Sequence, residues 1–217
     1  MVARLKPQVA DHFPDLAAKT QAIYEAEAER FDQDRSRRLF EARWLVRFSD
    51  GLPRGGQVLD LGCGSGEPIS AWLIAEGFAL TGMDFAPAML EIARARWPQA
   101  EWLPGDMRTL DLASRYDGIV AWNSFFHLTR DEQRACLPRL ARHLAPGGHL
   151  LVTVGDSDGE TTGRVGEFEV YHASLSLAEY ASILEANGLR VTGFMARDPD
   201  CTGHSVLLAR KLEETTQ

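Results

Sequence analysis

The sequence predicts an α/β fold in which helices cover both faces of a doubly wound, mostly parallel β-sheet. Apolar segments typical of buried strands alternate with helical segments from residue 57 onward, and this alternation favours parallel strands joined by helical crossovers. A glycine-rich turn, residues 62–66, follows the first apolar segment. A short connection joins the last two predicted strands, which favours an antiparallel pair at the end of the sheet.

Length and composition predict one soluble globular domain. The chain has 217 residues, of which 45% are hydrophobic and 25% charged. The formal net charge of −8 weighs against nucleic acid as a partner, because binding to a phosphate backbone needs clustered cations. No apolar segment reaches the roughly 18 residues of a membrane span, and the first ten residues do not resemble a signal peptide. The three cysteines (Cys63, Cys136 and Cys201) are an odd number at wide spacing, which indicates a cytoplasmic protein without a disulfide framework or a metal site.

The N-terminal segment is predicted to form helices, two in number, because apolar residues recur at helical intervals over residues 16–48. Three glycines and a proline in residues 50–56 end this pattern. We expect residues 1–50 to form a lid over the rest of the domain, with packing on the edge of the sheet as the alternative. The lid residues expected to face a ligand are Tyr24, Phe31, Arg35 and Trp44.

Local signals predict each later element. The predicted strands are residues 58–61, 79–84, 100–103, 116–122, 149–154, 190–196 and 205–210, and the predicted helices are residues 68–76, 87–96, 131–144 and 180–186. Thr129 and Glu132 have the spacing of a capping box, as do Ser176 and Glu179. Residues 155–167 contain four glycines and few apolar residues, so we expect a mobile loop there, and a frayed tail over residues 213–217.

Carboxylates flank the glycine turn and indicate which cofactor it suits. The dinucleotide fingerprint G-x-G-x-x-G would need glycine or alanine at the position of Glu67. Asp60 and Glu67 would repel a pyrophosphate and attract a ligand that carries an ammonium and a sulfonium group. S-adenosylmethionine (SAM) is the common cofactor of that description.

Two further acids follow the next predicted strands. Asp84 ends the second strand, 18 residues after Gly66, which is close to the offset at which an acid binds the ribose hydroxyls. Asp106 follows the third strand and is placed to accept a hydrogen bond from an adenine amino group, with Met107 packed on the ring. Helix capping by Asp84 and an ordinary turn at Asp106 are the structural alternatives.

Three motifs together resemble the class I SAM-dependent methyltransferases: VLDLGCGSG at residues 58–66, GMDFAPAML at residues 82–90 and LAPGG at residues 144–148. The resemblance covers about residues 57–210. It implies a Rossmann-like sheet of seven strands with the last antiparallel, and SAM as the cofactor of a core over residues 57–210. By this resemblance, the cofactor contacts are Asp60, Gly62, Cys63, Gly64, Gly66, Asp84, Phe85, Met89, Asp106, Met107, Trp122 and Asn123.

Residues 122–128 follow the fourth strand, where the carboxyl end of a central strand faces the reactive end of a cofactor. His127 is the candidate general base, and the alternative is a hydrogen-bonded structural histidine. The pattern differs from the Asn-Pro-Pro-Tyr motif, so we do not expect methylation of base or glutamine amino groups. Further candidates for contact with the substrate are Phe126, Tyr171 and His172.

The sequence therefore predicts a methyltransferase of 217 residues in one domain that moves the methyl group of SAM to a small nucleophile by in-line displacement. We expect a monomer or homodimer that acts on small molecules and binds neither nucleic acid nor membranes. Three alternatives are a SAM-binding protein without catalysis, a methyltransferase for RNA or protein, and an NAD-linked oxidoreductase.

Overall fold

The computed structural model describes residues 12–213, and it confirms the seven-stranded, mostly parallel sheet. The seven strands are β1 Gln57–Leu61, β2 Ala79–Asp84, β3 Glu101–Pro104, β4 Tyr116–Ala121, β5 Leu144–Val154, β8 Leu189–Asp198 and β9 His204–Lys211. Strands β1 to β5 run parallel in the order β3-β2-β1-β4-β5. The last strand, β9, is antiparallel to both of its neighbours, β5 and β8. The predictions for residues 1–11 and 214–217 lie outside the described residues.

Seven α-helices accompany the sheet in this part of the chain. They are α1 Phe13–Ala26, α2 Ala28–Asp34, α3 Ala42–Ser49, α4 Ile69–Ala75, α5 Pro87–Arg96, α6 Arg130–His143 and α7 Leu177–Ala186. The capping box at α6 is present, since the Thr129 hydroxyl accepts from the Glu132 amide and the Glu132 carboxylate accepts from the Thr129 amide. The prediction of two N-terminal helices is wrong. The backbone leaves helical geometry at Glu27 and again at Arg35, so this segment forms three.

A second sheet occupies the segment predicted to be a mobile loop. Strands β6 (Gly159–Val165) and β7 (Phe168–Ser174) form an antiparallel hairpin in which Thr161 pairs with His172. The loop prediction for residues 155–167 is therefore wrong over β6. Only Val165 of β6 is buried, so the strand has no apolar alternation that the sequence analysis could have detected.

The two faces of the main sheet are covered by different helices. Helices α6 and α7 contribute Leu137, Leu140 and Leu184 to the core on one face. Helices α3, α4 and α5 contribute Phe48, Leu73 and Leu90 to the core on the other. Strand order reverses between β1 and β4, and this arrangement opens a crevice at the carboxyl ends of these strands. None of the helices in residues 12–213 combines the length and apolar character needed to cross a bilayer.

Trp44 belongs to the core, so the prediction that it faces a ligand is wrong. Its side chain is 2% exposed and lies among the residues that α3, α4 and α5 pack on the sheet. Its indole Nε1 donates a hydrogen bond of 2.7 Å to Asp198, a fully buried carboxylate at the end of β8. Periodicity placed Trp44 on an apolar helix face but could not show which surface that face contacts.

Replacing Asp198 with alanine is expected to lower the free energy of unfolding by about 2 kcal/mol, because it leaves the buried Trp44 N–H without an acceptor. Arg43 also loses its buried partner. Asp200→Ala is the matched control, since the Asp200 carboxylate is 72% exposed and also binds Arg43; its effect should stay below about 1 kcal/mol. Urea unfolding of both variants tests this, and equal losses would contradict a structural role for the buried carboxylate.

Candidate active site

A cavity of about 1100 Å³, part of it open to solvent, lies at the carboxyl ends of β1, β2 and β4 next to helix α1. We call it the cofactor cavity. The structure brings most of the predicted site residues together in its wall. They are Tyr24, Phe31, Arg35, Asp60, Gly62, Cys63, Gly64, Asp84, Phe85, Met89, Asp106, Met107, Trp122, Asn123 and His127.

Gly66 is the predicted cofactor residue that does not line this cavity. A Cβ atom at Gly66 would lie 3.0 Å from the Trp102 ring and 3.2 Å from the Trp97 ring, so this glycine allows the turn to pack on those indoles. Gly62 does line the cavity. Its φ is +67°, and a Cβ there would lie 2.3 Å from the Cβ of Ser124, so only glycine fits this position.

Asp84 holds the glycine turn in place. One carboxylate oxygen accepts from the Gly64 amide at 2.8 Å, and the other accepts from the Ala86 amide at 2.9 Å, just before α5. The same carboxylate borders the cavity. Capping and ligand binding are therefore compatible at Asp84, as both act through one fixed carboxylate.

Burial raises the pKa of both central carboxyl groups. Asp60 is 2% exposed and its pKa rises to about 7, even though the Ser70 hydroxyl donates to it at 2.6 Å. Asp84 is 5% exposed and its pKa rises to about 6. Each carboxylate would be stabilised by a cation in the cavity. The donor set therefore fits the sulfonium and ammonium groups of SAM.

Two other polar atoms at the end of β4 are buried and lack a partner. They are the Trp122 indole nitrogen and the Asn123 side-chain oxygen, and both residues line the cofactor cavity. Asn123 also has a positive φ of 54°, and its amide donates to the Thr153 hydroxyl at 2.8 Å. A bound ligand would satisfy such atoms, which supports a polar ligand at this end of the cavity.

Asp106 reaches the cavity wall with its carboxylate already paired. It accepts from the Arg108 amide at 2.8 Å and from the Arg108 guanidinium Nε at 2.7 Å. Arg108 also binds Glu132 at 3.1 Å, the residue that caps α6. The adenine contact predicted for Asp106 stays a prediction, and any such contact would share the carboxylate with Arg108.

Tyr24 and His127 form a hydrogen-bonded pair that the sequence analysis did not connect. The Tyr24 hydroxyl lies 2.9 Å from His127 Nε2, and His127 Nδ1 lies 3.0 Å from the carbonyl oxygen of Tyr171. Because a carbonyl only accepts, the Nδ1 atom carries the proton and Nε2 accepts from Tyr24. Burial lowers the pKa of His127 to about 4, so the imidazole is neutral at pH 7, and burial also raises the pKa of Tyr24.

Three predicted substrate residues lie beside the cofactor cavity rather than in its wall. Phe126 and His172 line a second cavity next to it. Tyr171 is fully buried, its hydroxyl donates to Glu160 at 2.5 Å, and it reaches the site through the carbonyl group that orients His127. The prediction of a substrate contact for the Tyr171 side chain is therefore not supported by its position.

Contacts between the N-terminal helices and the core were also missed. The Gln21 amide donates to the Phe85 carbonyl oxygen at 2.6 Å. Asp32 is 8% exposed and accepts two hydrogen bonds of 2.9 and 2.8 Å from the Arg96 guanidinium. These bonds lower the pKa of Asp32 to about 2, because they outweigh the rise in pKa that burial causes. Partners 64 residues apart in sequence carry no local signal, so only the fold reveals them.

Comparison with known proteins identifies the family of the chain. Residues 58–148 match the family described as "Methyltransferase domain". A dTDP-4-amino-2,3,4,6-tetradeoxy-D-glucose N,N-dimethyltransferase of Saccharopolyspora spinosa is 31% identical over 178 residues, which cover 78% of this chain and 69% of the relative. A trans-aconitate 2-methyltransferase of Methylobacterium radiotolerans is 39% identical, over 63% of this chain and 50% of the relative, so the match spans half of that relative's length.

A solved structure has the same fold. The SAM-bound amino pentose methyltransferase from Micromonospora echinaspora superposes with a TM-score of 0.66 at 22% identity, covering 97% of this chain and 100% of that chain. The fold and the acidic cavity define an enzyme that uses SAM as methyl donor. The chain belongs to the class I SAM-dependent methyltransferases. This confirms the predicted cofactor and reaction class, and the alternative of an NAD-linked oxidoreductase is wrong.

Proposed function

We propose that this enzyme transfers the methyl group of SAM to an amine nitrogen of a small molecule. The Tyr24–His127 pair at the carboxyl end of β4 carries the proposal, because it places a fixed hydroxyl oxygen in the cofactor cavity. Two similar proteins are named as amino-sugar N,N-dimethyltransferases, which supports nitrogen as the acceptor atom. An RNA acceptor is disfavoured by the net charge of −8, because binding to a phosphate backbone needs clustered cations.

The acidic residues of the cavity would hold the donor. When bound, SAM supplies an electrophilic methyl group on a sulfonium centre. Asp60 and Asp84 attract the positive charges, and the Asp84 carboxylate is also placed to accept hydrogen bonds from the hydroxyl groups of the ribose. Arg35 is placed for the methionine carboxylate, and its guanidinium is oriented by Glu41 at 3.8 Å.

Tyr24 is proposed to align the acceptor. Its single hydroxyl proton is donated to His127, so the oxygen lone pairs that face the cavity are left to accept a hydrogen bond from the acceptor N–H. With a pKa of about 4, His127 is a weak base at neutral pH. We therefore propose His127 as a positioning residue for Tyr24 and not as the general base that the sequence suggested. The acceptor would enter as the uncharged amine, and its lone pair would form the N–C bond as the S–C bond of the sulfonium breaks. S-adenosylhomocysteine would be the leaving group, and the methylammonium product would lose its proton to water.

Helices α1 and α2 are proposed to close over the donor. Ala17, Gln21 and Tyr24 of α1 border the cavity, and Gln21 is bonded to Phe85 beside it. Closure would exclude water from the transfer step. In this proposal residues 12–50, the described part of the predicted lid over residues 1–50, cover the donor site of a single domain whose core is residues 57–210. We also propose a reducing compartment such as the cytoplasm, because the three cysteines are free thiols, and a monomer or homodimer as the working form.

Methyl transfer to small amines tests the proposed function directly. The purified protein is incubated with SAM and a panel of amines that includes amino sugars, biogenic amines and amino acids. Mass spectrometry then follows the gain of one or two methyl groups. Matched incubations contain carboxylic acids, phenols, bulk RNA and denatured protein. Transfer to an amine supports the proposal, and transfer to a member of the second group alone would overturn it.

Tyr24→Phe is expected to lower kcat for methyl transfer by about tenfold while SAM affinity changes less than about twofold, because the ring is kept and only the acceptor-facing oxygen is lost. His127→Asn should lower kcat to a similar extent, since Tyr24 loses the partner that orients its proton. Rapid kinetics and calorimetry with SAM separate the two effects. The contrary outcome is a plot of kcat/KM against pH that rises near pH 4, at the same pH for amines of different basicity. That result would mean that His127 acts as a base.

A further inference from the structure

The second cavity, here called the side cavity, lies between the end of β5, the β6–β7 hairpin and the β8–β9 connection. It is a partly open cavity, and its volume of about 1130 Å³ includes space open to solvent. Val154 and Gly155 form its wall at the end of β5, Thr161 belongs to the hairpin, and His204 starts β9. The proposed function assigns no role to this cavity.

Three aromatic rings lie at the border between the side cavity and the cofactor cavity. The Phe126 and His172 rings, which face the side cavity, have centroids 4.5 Å apart. Each lies 4.9 Å from the centroid of His127, which faces the cofactor cavity and holds Tyr24. A molecule seated against His172 is therefore one ring away from the residue that orients Tyr24.

His172 is available to bind such a molecule. Its ring is half-buried and packs on Phe126 and His127, and burial lowers its pKa to about 4, so it is neutral at pH 7. Gly163 on the paired strand makes room for it, because a Cβ at Gly163 would lie 2.2 Å from the His172 ring. The hairpin thus holds a neutral hydrogen-bonding ring at the border between the two cavities.

The charged side chains around the side cavity are largely paired with one another. Asp156 is bound to Arg197, Asp158 is bound to Arg130, and Glu160 accepts from the Tyr171 hydroxyl. On the cofactor side, Arg108 is bound to Asp106, and Arg35 lies near Glu41. Among residues 12–213, each arginine that lines either cavity therefore has a carboxylate partner. A phosphate or carboxylate group of an acceptor would lose its water without gaining an unpaired arginine in either cavity.

We propose that the side cavity binds the body of the methyl acceptor and selects amines that carry hydroxyl groups but no phosphate or carboxylate. The inference rests on the proposed function, since it names the class of amine that reaches Tyr24. Hydroxyl groups would donate to the carboxylates of the cavity and to His172. The selection would differ from that of the relatives named for a dTDP-sugar and for trans-aconitate, because both of those substrates are anions.

Paired acceptors test the charge selection. The pairs are glucosamine with glucosamine 6-phosphate, ethanolamine with phosphoethanolamine, and tyramine with tyrosine. In each pair that is methylated, kcat/KM should be at least about tenfold higher for the member without the anionic group. An anionic member that is equal or better overturns the inference and leaves the proposed function standing. Failure of every amine, with transfer to another acceptor class, overturns the proposed function and the inference together.

Filling the side cavity tests its location. Ser157 lies in the exposed part of the cavity wall, so Ser157→Trp should raise the acceptor KM by about tenfold and leave SAM affinity within about twofold. The matched control is Ser114→Trp, on the exposed loop before β4 at the opposite edge of the sheet. Equal acceptor KM values for the two variants would overturn the inference.

Gly163→Ala is a second, independent variant, because the added methyl group must displace the His172 ring. The acceptor KM should rise by about threefold or more, with SAM affinity unchanged, if His172 contacts the acceptor. Calorimetry with SAM also reports whether each variant is folded. A folded Gly163→Ala variant with the wild-type acceptor KM contradicts a role for His172 in the side cavity.

Discussion

Replacing Asp84 with alanine is expected to weaken SAM binding by about 100-fold or more. The substitution leaves the Gly64 and Ala86 amides without their acceptor, so the glycine turn and the start of α5 lose the group that holds them together. Each buried donor left unpaired costs about 1 to 3 kcal/mol, and the attraction of the carboxylate for the cation is lost as well. Isothermal titration calorimetry with SAM measures the change.

Two comparisons show whether the charge or the hydrogen bonds of Asp84 cause the loss. Asp84→Asn keeps one acceptor oxygen but no charge, and we expect it to lie between the wild type and the alanine variant. S-adenosylhomocysteine lacks the sulfonium charge, so its affinity should fall less than that of SAM in Asp84→Asn. Asp117→Asn serves as a control, because the Asp117 carboxylate accepts from the Gln57 amide at the amino end of β1, away from the cofactor cavity. An Asp84→Ala variant that binds SAM within threefold of the wild type would contradict the role given to this carboxylate.

The parallel part of the fold could be predicted because its signals are local. β1 and β2 lie within one residue of the predicted bounds, since buried parallel strands are continuous apolar segments that end in glycine or acidic turns. The β6–β7 hairpin could not be predicted in the same way. β6 carries the sequence GETTGRV and buries one residue, so it depends on pairing with β7. β7 in turn packs on α1, where the Phe13 and Tyr171 ring centroids lie 5.6 Å apart.

The candidate site also contains residues that local sequence signals predict and residues that they do not. Asp60, Gly62 and Asp84 could be predicted because each stands at a fixed offset in a strand–turn–helix unit. The pairing of Tyr24 with His127 joins residues 103 positions apart, and neither has a sequence context that marks the other. Trp44 was misplaced because helical periodicity identifies an apolar face but not the surface that covers it. Prediction from sequence therefore identified most residues that line the cofactor cavity and missed the hydrogen bond between Tyr24 and His127.

SAM affinity is expected to fall by about 100-fold or more between pH 8 and pH 5. Without the cofactor, the pKa of Asp60 is about 7 and that of Asp84 about 6, so both groups take up protons over this range. A cation binds to the ionised forms, and each protonated carboxyl reduces affinity about tenfold for every pH unit below its pKa. Affinity should therefore rise with pH, level off above about pH 7 to 8, and be accompanied by proton release in the acid range.

The stability of the ligand-free enzyme should change much less over the same range, because opposite contributions cancel. The raised pKa values of Asp60 and Asp84 favour the fold at low pH, and this contribution is lost as the pH rises from about 4 to about 7. The pKa values of His127 and His172, lowered to about 4, favour the fold above about pH 6.5, and that contribution is lost as the pH falls. Thermal unfolding with and without SAM separates stability from affinity.

Asp60→Asn provides the matched control for the pH dependence, because the amide can still accept the Ser70 hydrogen bond but does not titrate. Its SAM affinity at pH 8 should be lower than that of the wild type. The slope of log affinity against pH should also be smaller, because about one proton fewer is released on binding. Calorimetry in buffers of different ionisation enthalpy counts the protons released. A SAM affinity that is equal at pH 5 and pH 8, with no proton release, would mean that binding does not require the ionised carboxylates.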